Sequence, residues 1–202
     1  MEYVSNEIVE KRLKEFKGVF NQVYKSFDLT KWELEYYLVG SANKGLVLKG
    51  PNGYDVDFHV ILKKRLKRKP IKIKNRFKRE FDKAFKSIGL SSCEDSTHVL
   101  TAKKKDKQGN IIYSYDIAIV YIKSGKTYIL KNKKEDKGNG PYQFVAVPDS
   151  KGVYAKLEKV KRDGNWEKLK KIYKQKKEKE INILKDKKKI SISLLIEAVN
   201  EI

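Results

Sequence analysis

Cysteine and histidine are nearly missing from this 202-residue chain, which has one of the first, Cys93, and two of the second, His59 and His98. An internal disulfide is therefore excluded, and so is a Cys/His zinc cluster. Acidic charge is scarce beside basic charge: 26 Asp and Glu face 47 Lys and Arg, for a net charge of +21. That imbalance exceeds what solubility asks for and favours a polyanionic partner. Long apolar runs are absent as well. The longest apolar-rich stretch, Ile111 to Ile122, is too short to cross a bilayer and contains Asp116. The opening MEYVSNEIVEKRLKEF carries charges where a signal peptide needs an apolar stretch. The expectation is a cytoplasmic protein without membrane association. What the chain does have is material for a core: 40% hydrophobic and 11% aromatic residues, against 36% charged, suit one folded domain, alone or with a small helical appendage.

Apolar periodicity orders the chain. Val9, Leu13, Phe16, Phe20, Val23 and Tyr24 recur at helical spacing from Ser5 to Phe27, with Ser5 placed to cap the first turn. Leu34 to Val39 reads as a strand ending at Gly40-Ser41, and a Gly-rich stretch, Asn43 to Tyr54, follows. Asp55 to Leu62 alternates: Asp55, Asp57 and His59 fall on one face, Val56, Phe58 and Val60 on the other. A basic run at 63–69 ends at Pro70, and Phe77, Phe81, Ala84, Phe85 and Ile88 mark a second helix closed by Gly89. Val99–Lys103 and Ile111–Ile122 predict a hairpin through the turn Asp106 to Asn110. Lys126–Leu130 and Tyr142–Val147 predict further strands around a charged loop, Asn132 to Gly140. Beyond Gly152 the pattern is helical again, with a charge-dense stretch from Lys174 to Lys189. The fold class expected is α+β: a mixed, twisted sheet backed by helices, with residues 1–150 as one domain and 151–202 as a helical C-terminal part.

Three acids stand on predicted strands, where an unpaired charge is normally avoided. Asp55 and Asp57 share a face about 7 Å apart by strand rise, so their oxygens can converge on hard cations such as Mg²⁺, with Mn²⁺ as a substitute. Asp116, in Tyr-Asp-Ile-Ala-Ile-Val, lies on a strand that can run beside theirs. Three carboxylates with no His/Cys set describe a site with two Mg²⁺ ions for displacement at phosphorus. Upstream, Gly40-Ser41 offers backbone N–H groups and a hydroxyl at a strand-to-helix turn, a place for phosphate. Taken alone, Asp-x-Asp fits an edge strand with solvated carboxylates better than a metal site; Gly-Ser before it and Asp116 after it reverse that preference.

Leu-Val-Gly-Ser-Ala-Asn-Lys-Gly, then Tyr-Asp-Val-Asp-Phe, then Tyr-Asp-Ile-Ala, resembles the polymerase-beta-type nucleotidyltransferase superfamily over residues 38–120. The superfamily includes CCA-adding enzymes, poly(A) polymerases, antibiotic nucleotidyltransferases and cyclic-oligonucleotide synthases. The resemblance implies that Gly40 and Ser41 bind a triphosphate, that Asp55 and Asp57 hold two metals, and that Asp116 holds one metal and the attacking hydroxyl. Lys44 stands where the family often has a basic residue and is a further nucleotide-binding candidate. Leu46 departs from the family, in which a small hydroxyl residue is common there.

The expected reaction is transfer of a nucleoside monophosphate from an NTP to a hydroxyl acceptor. Net charge points to RNA or another polyanion as that acceptor, because a cationic aminoglycoside calls for an acidic pocket. Alternatives are a synthase of cyclic or linear oligonucleotide signals, and a nucleic-acid-binding module without turnover. The apolar closing helix, Leu194 to Ile202, is a candidate surface for a protein partner or for self-association.

Overall fold

The computed structural model describes residues 1–28, 30–63, 68–132, 142–147, 151–183 and 191–202. Two compact units emerge, Tyr3–Val147 and Pro148–Ile202 with Met1–Glu2. The larger is a mixed α+β unit. After a short strand β1 (Glu2–Tyr3) comes helix α1 (Asn6–Lys25), begun by Ser5, whose hydroxyl accepts from Ile8 N–H at 3.3 Å. Strand β2 (Leu34–Leu38), a 3₁₀ turn (Ala42–Lys44), β3 (Leu48–Lys49) and β4 (Asp55–Leu62) lead to helix α2 (Pro70–Ser87). Proline in the first turn of α2 sacrifices no hydrogen bond, since that N–H has no helical partner. At its other end Leu90 N–H returns to Phe85 O at 3.0 Å. Strands β5 (Glu94–Asp95), β6 (Val99–Lys105), β7 (Ile111–Lys123), β8 (Lys126–Asn132) and β9 (Tyr142–Ala146) complete the unit. Most of the predicted loop Asn132 to Gly140, residues 64–67 of the basic run and residues 184–189 of the charge-dense stretch lie outside the described residues.

The main sheet runs in the order β2-β4-β7-β6-β5, with β8 joined to β7 and β9 to β8. Among the described residues all pairings of this sheet are antiparallel except that of β4 with β7, which is parallel and sets Asp57 opposite Asp116. Alternation gives the sheet two chemistries. Val56, Phe58 and Val60 face a core shared with α1 and α2, while Asp55 and Asp57 face away from it. Phe16 of α1 stacks on Phe58 at 3.6 Å between ring centroids, and Phe85 of α2 lies 5.5 Å from Tyr115 of β7. Phe16 is fully buried. Phe16→Ala is therefore expected to cost about 3–5 kcal/mol, read by urea denaturation.

A polar tie reinforces this packing. Glu15 of α1 accepts from Tyr113 Oη at 2.7 Å and from Tyr115 Oη at 2.8 Å, and it pairs with Arg12 at 3.2 Å. Strand β7, which carries Asp116, is thereby fastened to α1 on its core side. Tyr113 and Tyr115 are thus core residues, and Tyr121 and Tyr128 form a cross-strand pair. Cys93 is buried, and burial pushes its thiol well above the ordinary range.

The smaller unit contains α3 (Lys151–Arg162), α4 (Trp166–Ile183) and α5 (Ser191–Asn200). Lys176 of α4 meets Glu201 at 2.5 Å and Glu197 at 3.6 Å, tying α4 to the end of the chain. In α5, Leu194, Leu195, Ala198 and Val199 are already buried, leaving Ile196 exposed with Ile202 beyond. Among the described residues no helix is long and apolar enough to cross a membrane.

Candidate active site

Four neighbouring strands of the acid-bearing face each add an oxygen. Register places Asp57 of β4 opposite Asp116 of β7, Asp116 opposite Thr101 of β6, and Thr101 opposite Glu94 of β5. One step along, Asp55 stands opposite Ser114, and Ser114 opposite Lys103. Partners in register share a face, so the row across four strands is Asp57, Asp116, Thr101 and Glu94. Thr101 Oγ1 donates to Asp116 Oδ1 at 2.6 Å, and Ser114 Oγ donates to Asp55 Oδ1. These two hydroxyls fix one oxygen of each carboxylate.

Electrostatics single out Asp116. Burial is the main cause that raises its carboxyl from 3.8 to about 6, the negative charge of Asp55 adds to the rise, and the Thr101 hydrogen bond and Lys103 oppose it. Lys103 is itself held by Glu94 at 2.5 Å. His59 shares the acid face, half-buried, and burial lowers its pKa, favouring the neutral imidazole.

The Gly40-Ser41 turn meets this row directly. Val39 N–H donates to Asp57 O at 2.9 Å, which docks the end of β2 beside the second acid. Gly40 has φ +65, and a Cβ there would overlap Asp57 Oδ2 and stand 2.8 Å from its Cγ. The Asp57 carboxylate therefore occupies the space that only glycine leaves open. Ser41 begins the 3₁₀ turn without capping it by its side chain. Lys44 Nζ donates to Gly40 O at 2.8 Å, closing the turn on itself, and Leu46 N–H donates to Ser41 O at 2.9 Å while its side chain is buried. A leucine serves at position 46 because the side chain goes into the interior rather than toward the turn.

All six candidate residues, Gly40, Ser41, Lys44, Asp55, Asp57 and Asp116, thus belong to the Gly-Ser turn and two adjacent strands. Among the described residues no group of three His, Cys, Asp or Glu side chains is gathered closely enough to hold a metal ion. The donor set nevertheless fits a hard divalent ion: oxygen only, with a carboxylate raised partly by its neighbour's charge, which a cation would relieve. Sequence reasoning missed Thr101, Ser114 and Glu94. Serine, threonine and glutamate on strands carry no signal until strand order is known.

No protein-family model matches the chain, and no curated protein matches it. Solved structures do. One is the STING-associated CdnE c-di-GMP synthase from Capnocytophaga granulosa, with TM-score 0.60, 19% identity, and coverage of 98% of this chain and 61% of that one. A second is Escherichia coli DncV in its 3′-deoxy GTP bound form, with TM-score 0.59, 16% identity, and coverage of 98% and 57%. A third is the Bradyrhizobium diazoefficiens CD-NTase CdnG in complex with GTP, with TM-score 0.51, 13% identity, and coverage of 77% and 42%. The chain spans between 42% and 61% of the length of these three proteins. The likeness is one of fold: this chain has the fold that these three proteins share.

Proposed function

We propose that the chain is the nucleotidyltransferase part of an oligonucleotide signal synthase, joining NTPs to one another and releasing pyrophosphate. The observation that carries this reading is the placement of Asp57 opposite Asp116, in a row that the Gly40 turn touches through the Asp57 carboxylate. The likeness to a c-di-GMP synthase supports a nucleotide as the acceptor. RNA, the acceptor expected from net charge, has no such support.

Asp55, Asp57 and Asp116 would hold the divalent ions, with Thr101 and Ser114 keeping two of the carboxylates oriented. Bound Mg²⁺ supplies neutralisation of the triphosphate charge and acidifies the attacking hydroxyl. Backbone N–H groups of the Gly40-Ser41 turn receive the triphosphate, and Lys44 exchanges the Gly40 carbonyl for a phosphate oxygen. Asp116, with Oδ1 held by Thr101, would accept the hydroxyl proton on its other oxygen as the hydroxyl oxygen attacks the α-phosphorus. The new P–O bond replaces the bond to the bridging oxygen, and pyrophosphate leaves with that oxygen.

Incubation with each α-labelled NTP and Mg²⁺, with and without total RNA, tests the reading by thin-layer analysis. Label is expected in a small product without RNA, and its loss is expected in the double variant Asp55→Ala/Asp57→Ala. Label confined to RNA would replace signal synthesis by RNA transfer. No label in any product would leave the fold without turnover and overturn the assignment.

A further inference from the structure

Helix α2 presents to solvent a face of a single charge sign. Lys72, Arg76, Arg79, Lys83 and Lys86 follow one another at steps of four, three, four and three residues, which keeps them within one stripe along the helix. All but Arg76, which is half-buried, are exposed. The opposite face of the helix, Ile73, Phe77, Phe81, Ala84 and Phe85, is buried in the core. At 1.5 Å per residue the stripe is roughly 21 Å long, with a cation about every 5 Å. A helix face shaped for solubility alone mixes both signs at these spacings. Here no acid interrupts the stripe.

Charges beside the stripe shape it without cancelling it. Glu80, only 7% exposed, lies at its edge and meets Arg79 at 2.9 Å, Arg76 at 3.4 Å and Lys83 at 3.8 Å. One carboxylate thus orders three cations and neutralises one charge. Arg76 is further anchored by donating to Ser26 O at 2.5 Å and by lying 5.1 Å from the Phe27 ring centre. On the other flank a recess of about 340 Å³ is lined by Asn75, Lys78, Arg79, Asp82, Lys83 and Lys86.

We propose that this face of α2 is a docking surface for the phosphodiester backbone of a nucleic acid, separate from the site of transfer. A straight row of cations, two of them planar guanidinium groups, complements a line of phosphates. An anionic membrane fits less well: no large hydrophobic side chain is exposed on α2 among the described residues, so nothing is placed to enter a bilayer. The surface also stands apart from the acids. Phe85 of α2 packs against Tyr115, on the core side of the sheet, whereas Asp116 faces the other side. A polymer on this stripe has the thickness of a helix, about 10 Å, and then the sheet between it and Asp116. It therefore binds as a ligand rather than as the acceptor.

Fluorescence anisotropy of the protein with a fluorescein-labelled RNA duplex of 20 base pairs, titrated at several salt concentrations, tests this. With about four or five phosphates neutralised, log K should fall against log salt with a slope near −4. The variant Lys72→Glu/Arg79→Glu/Lys83→Glu/Lys86→Glu should lose at least tenfold in affinity and most of that slope; Arg76 is left in place because it holds Ser26. The milder Lys83→Gln/Lys86→Gln should shallow the slope by about 2 and keeps the test decisive if charge reversal unfolds the chain. Asp57→Asn should bind RNA as the unmodified protein does, which separates this surface from the transfer reaction. A folded charge-reversed variant that binds undiminished, an unmodified protein that does not bind, or binding to phosphatidylserine vesicles alone would overturn the proposal.

Discussion

Gly40→Ala is expected to remove nucleotidyl transfer almost completely, by about a hundredfold or more, because a shift near 1 Å in a reacting group is enough for that loss. Two costs coincide at this position. The backbone sits at φ +65, and the new Cβ would overlap Asp57 Oδ2 while standing 2.8 Å from Cγ and 3.0 Å from Cβ of the same residue. Neighbouring backbone leaves little slack, since Val39 N–H is bound to Asp57 O at 2.9 Å. The carboxylate must then turn out of the row it forms with Asp116. Strain of this kind costs about 1–3 kcal/mol, so the variant should also melt lower. Gly109→Ala separates the two effects: it too has a positive φ, +89, but nothing lies within 4 Å of its Cβ. It should lose stability and retain turnover. Initial rates with α-labelled NTP beside thermal melts read both, and turnover by Gly40→Ala within threefold of the unmodified protein would refute the account.

Asp116→Asn should abolish transfer and yet make the metal-free protein more stable at neutral pH. The folded carboxyl titrates at about 6 against an ordinary 3.8, mainly because it is buried. A folded state that holds its proton more tightly than the unfolded chain loses stability as pH rises between those two values. Above pH 6 the whole penalty is present, on the order of 2–3 kcal/mol, and an uncharged amide avoids it. Thr101 Oγ1 can go on donating to the amide oxygen as it does to Oδ1. Melting in the presence of a chelator should therefore favour the variant at pH 7.5, with the difference closing near pH 4. Added Mg²⁺ should raise the melting temperature of the unmodified protein by mass action and leave that of the variant nearly unchanged. Equal melting temperatures at pH 7.5 would show that Asp116 carries no such penalty.

Much of the acid face was legible because strand alternation is local. Asp55 and Asp57 separate from Val56 and Phe58 by position alone, and β4 begins and ends where the pattern does. Ser5 likewise announces the start of α1, and the turn from Asp106 to Asn110 announces the hairpin of β6 and β7. Thr101 and Ser114 were not legible, because their contacts with Asp116 and Asp55 exist only across strand pairings that sequence spacing does not encode. Strand β5, at Glu94–Asp95, is too short to show any period. Lys74 reads as one more exposed lysine, yet it is fully buried against Asp95 at 3.2 Å. The cationic stripe of α2 was hidden in a different way: net charge gives the amount of basic residues and not their arrangement on one side of a helix.

Asp57 and Asp116 are neighbours through the parallel pairing of β4 with β7 in the main sheet. Parallel strands cannot be joined by a tight turn, and here the connection includes α2, β5 and β6. On a ribosome adding 5–20 residues per second, Asp116 follows Asp57 by roughly 3–12 s. During that interval the nascent chain has its glycine turn, β2 and the first acid pair on β4, but not the strand that sets Asp116 opposite Asp57. Topology therefore withholds the opposed pair Asp57 and Asp116 from incomplete chains, and the acid row is complete only once β7 has been made and has paired with β4.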